Sequence, residues 1–173
     1  MSRKVLFLLL NLLFCSAVVC AQTVQKSELQ QRAESEDENG NIATARYTFI
    51  RAYEDYANKG KMQQAVECGV KATSLYYKKE NYYKEAFDLL RRIDQTIIAS
   101  NQDSGKKAAQ HYLVTKERLQ MYMKLLKGES AKDQLAIMEG QAGSANDESV
   151  KNDLLYTKAI YYYTFGQNEK GNA

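Results

Sequence analysis

Apolar residues recur every three or four positions through most of this chain, and short polar breaks cut the pattern into pieces of helical length. In 41–59 the recurring set is Ile42, Ala45, Phe49, Ala52, Tyr53 and Tyr56. In 61–79 it is Met62, Ala65, Val66, Gly69, Ala72 and Tyr76. In 82–100 it is Tyr83, Ala86, Phe87, Leu90, Ile93, Ile97 and Ile98. In 105–127 Ala108, Tyr112, Thr115, Leu119, Tyr122 and Leu126 alternate steps of four and three. At 3.6 residues per turn these spacings place each set on one side of a helix, which predicts half-buried helices. A weaker helix is expected over 24–37, a short one over 130–140 and another over 148–165. No stretch shows the alternation of a strand, and the chain has no proline.

The breaks carry Gly and Asn: Gly40, Gly60, Asn81, Gly105, Gly128, the run Gly140 to Asp147, and Gly166. Both residue types tolerate the left-handed backbone that ends helices, so each break reads as a C-cap and turn. Loops this short make neighbouring helices run antiparallel. The predicted fold class is all-α, a row of stacked antiparallel helical hairpins with a period of about 40 residues, as in a solenoid.

The first 22 residues follow a different pattern. Arg3 and Lys4 precede an apolar stretch, Val5 to Val19, interrupted by Asn11 and Ser16. Val19-Cys20-Ala21 then offers a cleavage site that would leave Gln22 as the new N-terminus. This is the layout of a secretory signal peptide, and the stretch is shorter than the ~20 residues a membrane-spanning helix needs. The expected organisation is a signal peptide over 1–21, an N-terminal helix with an acidic turn over 22–40, and helical repeats over 41–173, truncated at the C-terminus. Val19 is bulkier than a lipoprotein signal wants before its cysteine, so ordinary cleavage after Ala21 is expected over lipid attachment at Cys20.

Export changes the composition. Of the 24 basic residues, Arg3 and Lys4 fall in the signal, which leaves 22 against 21 acidic residues. Such interspersed, balanced charge argues against nucleic-acid binding, which needs clustered Lys and Arg. Cys15 and Cys20 also fall in the signal, so Cys68 alone remains and no internal disulfide can form. A small secreted animal domain usually carries several, so a bacterial envelope protein, in the periplasm of a Gram-negative cell, is the expected setting.

Tyr56, Gly60, Met62 and Ala65 follow one spacing: an aromatic, a Gly four residues on, a large residue two further, and a small residue three after that. Tyr77, Asn81, Tyr83 and Ala86 repeat it, followed by Leu90 and Ile93 at two later core positions. Tyr162, Gly166 and Gly171 repeat it again. In this spacing the chain resembles the tetratricopeptide repeat family, over roughly 41–173. It lacks that motif's Trp and closing Pro, and its first two matches lie one helix apart rather than one repeat apart. The resemblance implies a protein-binding array. Framed on 41–59, it implies that Tyr47, Ile50, Glu54 and Asn58 line the concave, partner-binding face. More loosely, the Tyr-rich segments Arg51 to Tyr56 and Tyr161 to Gly166 behind a cleavable signal are similar to the periplasmic sensory region of bacterial membrane regulators. Those carry a histidine-kinase or DNA-binding output domain downstream.

Candidate chemistry is sparse. His111 is the lone histidine, without a second His or a Cys pair for a metal or a catalytic relay, so a structural role is expected. Cys68 lies mid-helix beside Gly69 with no local positive charge to make it reactive. Ser35 to Arg46 partly mimics a calcium loop through Asp37, Asn39 and Gly40, but Ser35 replaces the first Asp and Arg46 the bidentate Glu, so a helix end and Gly turn is expected. The 13 tyrosines divide between core and exposed positions, where they suit protein contacts. No nucleotide loop or nucleophile motif appears. The sequence therefore predicts no enzyme, no cofactor and no metal. It predicts an exported interaction module that takes a protein, a peptide or a second copy of itself. Membrane association would come only through sequence downstream. A free-standing periplasmic scaffold or adaptor, and an enzyme of unknown type, are the alternatives.

Overall fold

The computed structural model describes residues 26–167 and Gly171. The expected signal segment, with Ala21 and Gln22, lies outside these residues. Among the described residues the fold is all-α. Its helices are α1 (Glu28–Glu38), α2 (Ile42–Asn58), α3 (Met62–Lys79), α4 (Tyr83–Ala99), α5 (Ser104–Lys124), α6 (Gly128–Ala145) and α7 (Glu148–Thr164). No helix of the described residues is long and apolar enough to cross a membrane. Each helix packs against the next, and α3 also touches α5, as α5 touches α7.

One connection recurs. Gly40, Gly60, Asn81, Leu126 and Gly166 all take the left-handed conformation, with φ between 55° and 78°. At Gly60 the next amide, Lys61 N–H, returns to the Tyr56 carbonyl at 2.9 Å, and the same return runs from Asn41 to Glu36, Lys127 to Tyr122 and Gln167 to Tyr162. These bonds satisfy carbonyls that a helix end would otherwise strand. Asn41, Lys61, Tyr82 and Lys127 follow with φ near −85° and ψ between 61° and 76°, and none caps its helix with a side chain. Five residues beyond each left-handed position sits a small residue: Ala45, Ala65, Ala86, Ala131 and Gly171. The four alanines are completely buried, which lets the incoming helix approach its predecessor closely.

Two connections differ. Asp103 caps α5 by accepting from the Lys106 amide, and Asp147 caps α7 by accepting from Ser149. Gly105 is therefore helical rather than a C-cap. Three further expectations are corrected. Residues 130–140 belong to a longer helix, α6, which runs through Gly140 and Gly143. Burial of Ala131, Leu135, Met138, Ala142 and Ala145 on one face outweighs the ~1 kcal/mol that each Gly costs a helix. The left-handed residue of the α5–α6 turn is Leu126 rather than Gly128, so Leu126 is exposed rather than core. Ile98 is also exposed, because Ile93 and Ile97 already occupy the inward direction of α4.

The core divides around α5. One cluster joins Phe49, Tyr53 and Tyr56 of α2 to Val66 and Ala72 of α3 and Leu90, Ile93 and Ile97 of α4, and takes in Val114 and Met121 of α5. The other joins Tyr112 and Leu119 of α5 to Leu135 and Met138 of α6 and Val150 and Tyr161 of α7. Gly69 lets α3 pack tightly on α4, since a Cβ there would lie 2.6 Å from Ile93 Cδ1.

Candidate functional site

Partly buried polar groups concentrate where helices meet around α5. Tyr77 of α3 is 1% exposed, and its hydroxyl donates to Glu117 Oε2 of α5 at 2.7 Å. Burial drives the Glu117 carboxyl above the usual range, against the opposing pull of Lys78 and the Tyr77 hydrogen bond. Lys124 closes the joint by donating from Nζ to the Tyr77 carbonyl at 2.9 Å. On the other side of α5, the Tyr112 hydroxyl donates to Asp153 of α7 at 2.6 Å, and Lys116 pairs with the same carboxylate. These groups join helices rather than line an open cleft.

A third joint links α4 to α5. Asp94 Oδ1 meets His111 Nδ1 at 2.7 Å, and Arg118 holds the second oxygen. Burial alone would raise the Asp94 carboxyl, but the hydrogen bond to His111 and the charge and hydrogen bond of Arg118 hold it below the usual range. His111 thus has a partner 17 residues away that helical spacing could not reveal. Its role is that of a fastening between two helices.

The four residues framed as a partner face do not share one feature. Tyr47 is 62% exposed, with the Arg51 guanidinium 6.0 Å from its ring centre. Ile50 is half-buried against the first core cluster. Glu54 pairs with Arg92 of α4 at 2.9 Å. Glu54 and Asn58 line a shallow cleft of about 550 Å³ between α2 and α4, together with Tyr53, Arg92 and Thr96. The Tyr53 hydroxyl lies 2.6 Å from Thr96 Oγ1 and fastens the cleft floor.

The remaining candidates resolve locally. Cys68 is 1% exposed, and burial pushes its thiol up to about 12, so it is a packing residue rather than a nucleophile. In the calcium-like segment, Asn39 bonds Ser35, Asn41 bonds Glu36, and Asp37 faces Lys71 at 3.8 Å. Among the described residues no three His, Cys, Asp or Glu side chains converge in a way that could hold a metal ion.

Sequence reasoning missed one feature altogether. Gln110, on α5, is 2% exposed, and its side-chain oxygen has no hydrogen-bond partner. It lines a cavity of about 610 Å³ at the N-terminal ends of α3 and α5. Nothing in the spacing marks a glutamine as buried, although Gln110 lies one turn before the buried Val114 on the same side of α5.

No family model matches the chain, no curated protein matches it, and no solved structure matches it.

Proposed function

We propose that this chain is an exported, tetratricopeptide-like interaction module, the N-terminal sensory part of a bacterial membrane signalling protein working in the periplasm. It binds a protein or peptide, or a second copy of itself. The observation that carries the reading is the recurrent connection. A left-handed residue with a small residue five positions on occurs at Gly40, Gly60, Asn81, Leu126 and Gly166. That is the unit from which a stacked helical array is built, and arrays of this kind offer extended surfaces to partners.

The connections favour one repeat register. The two Asp-capped connections, before α5 and before α7, divide the chain into α3 with α4 and α5 with α6, with α1 and α2 ahead of them. Contact of α3 with α5 and of α5 with α7 supports the same division, since first helices of successive pairs lie side by side in a stacked array. In this register the partner face lies on α3, α5 and α7. Glu54 and Asn58 then belong to the second-helix side, across the array.

The test is to read the coding DNA beyond the codon for Ala173 and to sequence the N-terminus of the protein recovered from the cell envelope. Gln22 at the N-terminus, further helical hairpins and then about 20 apolar residues leading to a kinase or DNA-binding segment are expected. A stop codon within one more helix would sink the sensory reading. An intact Met1 in the cytoplasmic fraction would sink export.

A further inference from the structure

The cavity beside Gln110 opens where the first turns of α3 and α5 meet the C-terminal end of α6. Three of its charged groups are already engaged, and the fourth, Lys61, is exposed at the wall. Asp103 accepts from the Lys106 amide at 2.9 Å and faces the Lys106 ammonium at 3.3 Å. Asp147 accepts from the Ser149 amide and hydroxyl at 2.8 and 2.7 Å. The buried unmet groups are neutral acceptors. Gln110 Oε1 and Gln102 Oε1 are both buried, both lack a partner, and both residues line this cavity. The cavity wall also includes the end of α6, which finishes at left-handed Asn146 without the returning amide bond that closes the other left-handed turns. Gly105 sits against this end, where a Cβ would lie 3.5 Å from the Ala145 carbonyl.

Buried acceptors without donors are uncommon in folded proteins and mark a place where something else supplies the hydrogen. The required ligand brings N–H groups and little charge, and it fits among side-chain amides: Gln63 and Gln64 line the same cavity. A primary amide finds its full complement in another amide, which donates N–H to the oxygen and accepts from the NH₂ group. No aromatic ring lines the cavity, which disfavours a stacked sugar or base. We propose that this cavity binds an extended peptide segment through its main-chain amides, with Gln110 and Gln102 as the acceptors. The choice of a polypeptide over other amides rests on the interaction-module reading.

The experiment is a nuclear magnetic resonance titration of the isotope-labelled chain, as recovered from the cell, with N-acetylalanine N′-methylamide. The control probe is methyl O-acetyl-lactate, which has the same shape and no N–H. The amide probe should shift the side-chain NH₂ signals of Gln102 and Gln110 and the backbone signals of Gly105 and Lys106. The ester should leave them in place. Gln110→Met keeps the length of the side chain and removes its polar end, and it should weaken amide binding about tenfold, the value of one hydrogen bond left unmade. Equal shifts with both probes, or none with either, would overturn the proposal and leave the cavity to water. If the amide probe binds but longer peptides bind no tighter, the amide site stands and the interaction-module reading fails. If a polypeptide partner binds while these signals stay still, that reading stands and this inference fails.

Discussion

The two sides of α5 are built differently. Toward the N-terminus, α2, α3 and α4 share a cluster rich in large side chains, with Phe49, Tyr56, Leu90, Ile93 and Ile97 all almost fully buried. Toward the C-terminus, α6 and α7 close with α5 a cluster half the size, ten buried residues against twenty. Of the ten exposed large hydrophobic residues among the described residues, seven lie beyond residue 124. Both sides carry polar fastenings, Tyr77–Glu117 on the first and Tyr112–Asp153 on the second. The first adds the larger packed core, and the second leaves apolar surface on α7 open. A repeat-like chain built from similar turns can thus differ in stability from one end to the other, because each helix is only as secure as the area it covers.

The sharpest way to test this contrast is to cut one side chain from each cluster. Leu90→Ala empties a fully buried position among α2, α3 and α4 and should cost about 3–5 kcal/mol. Met138→Ala removes an equally buried side chain in the smaller cluster and should cost about 2–3 kcal/mol, because a flexible residue in a smaller core leaves a site that collapses more easily. Urea denaturation followed by circular dichroism measures both. Equal costs, or a larger loss for Met138→Ala, would erase the contrast.

The fastenings around α5 should respond to pH with opposite sign. The Asp94 carboxyl is depressed in the fold, so its contribution is fully present above the unfolded value of about 4 and is lost as pH falls through the folded value. Asp94→Asn should cost about 2 kcal/mol at pH 7, the scale of a hydrogen bond to a charged group, and the gap from the parent should close in acid. The Glu117 carboxyl is raised, so its contribution is present below about pH 4 and is lost as pH rises through the folded value. Glu117→Gln should therefore gain on the parent between pH 4 and pH 7. Denaturation midpoints for both variants at the two pH values decide the matter. The same sign for both would show that the two joints do not differ in this way.

How far the sequence spoke for each side follows from the same physics. Helices α2 to α4 were legible to within a residue because their apolar spacing is regular and their turns carry Gly60 and Asn81, residues whose backbone freedom announces a left-handed turn. The turn at Leu126 hides the same conformation behind an apolar side chain, so the sequence does not mark Tyr122, Leu126 and Ala131 as a match to the recurrent pattern. Gly140 and Gly143 read as a break, although the face carrying Leu135 and Met138 keeps them helical. The joints Tyr77–Glu117, Asp94–His111 and Tyr112–Asp153 connect helices that periodicity treats one at a time. Periodicity gives the buried face of each helix but not the rotation of one helix against another, so neither these pairs nor the buried Gln110 could be foreseen.

The recurrent turn gives a paired test of that point. A Cβ at Gly60 would meet nothing within 4 Å, so any cost of Gly60→Ala comes from its φ of 69°. That cost should be about 1 kcal/mol. Leu126 already bears the same conformation, at φ 55°, and is 73% exposed. Leu126→Gly should therefore stabilise by roughly the same amount, since the relief of strain exceeds the entropy that Gly adds to the unfolded chain. Thermal melts of the two variants should move in opposite directions. A loss on Leu126→Gly would mean that its side chain covers something on the less tightly packed side.

The smallest expected effect bears directly on the open face of α7. Leu155 and Tyr156 are 66% and 67% exposed, so the isolated chain gains little from them, and Leu155→Ser with Tyr156→Ser should change stability by no more than about 0.5 kcal/mol. Cutting the fastening to α5 instead, with Asp153→Ala, removes the partner of both Tyr112 and Lys116. It should expose α7 amides to hydrogen exchange while those of α3 and α4 stay protected, because local opening follows local contact. If the double serine variant proves strongly destabilised, those side chains are covered in solution, and the contrast between the two sides of α5 then describes a chain separated from what normally covers it.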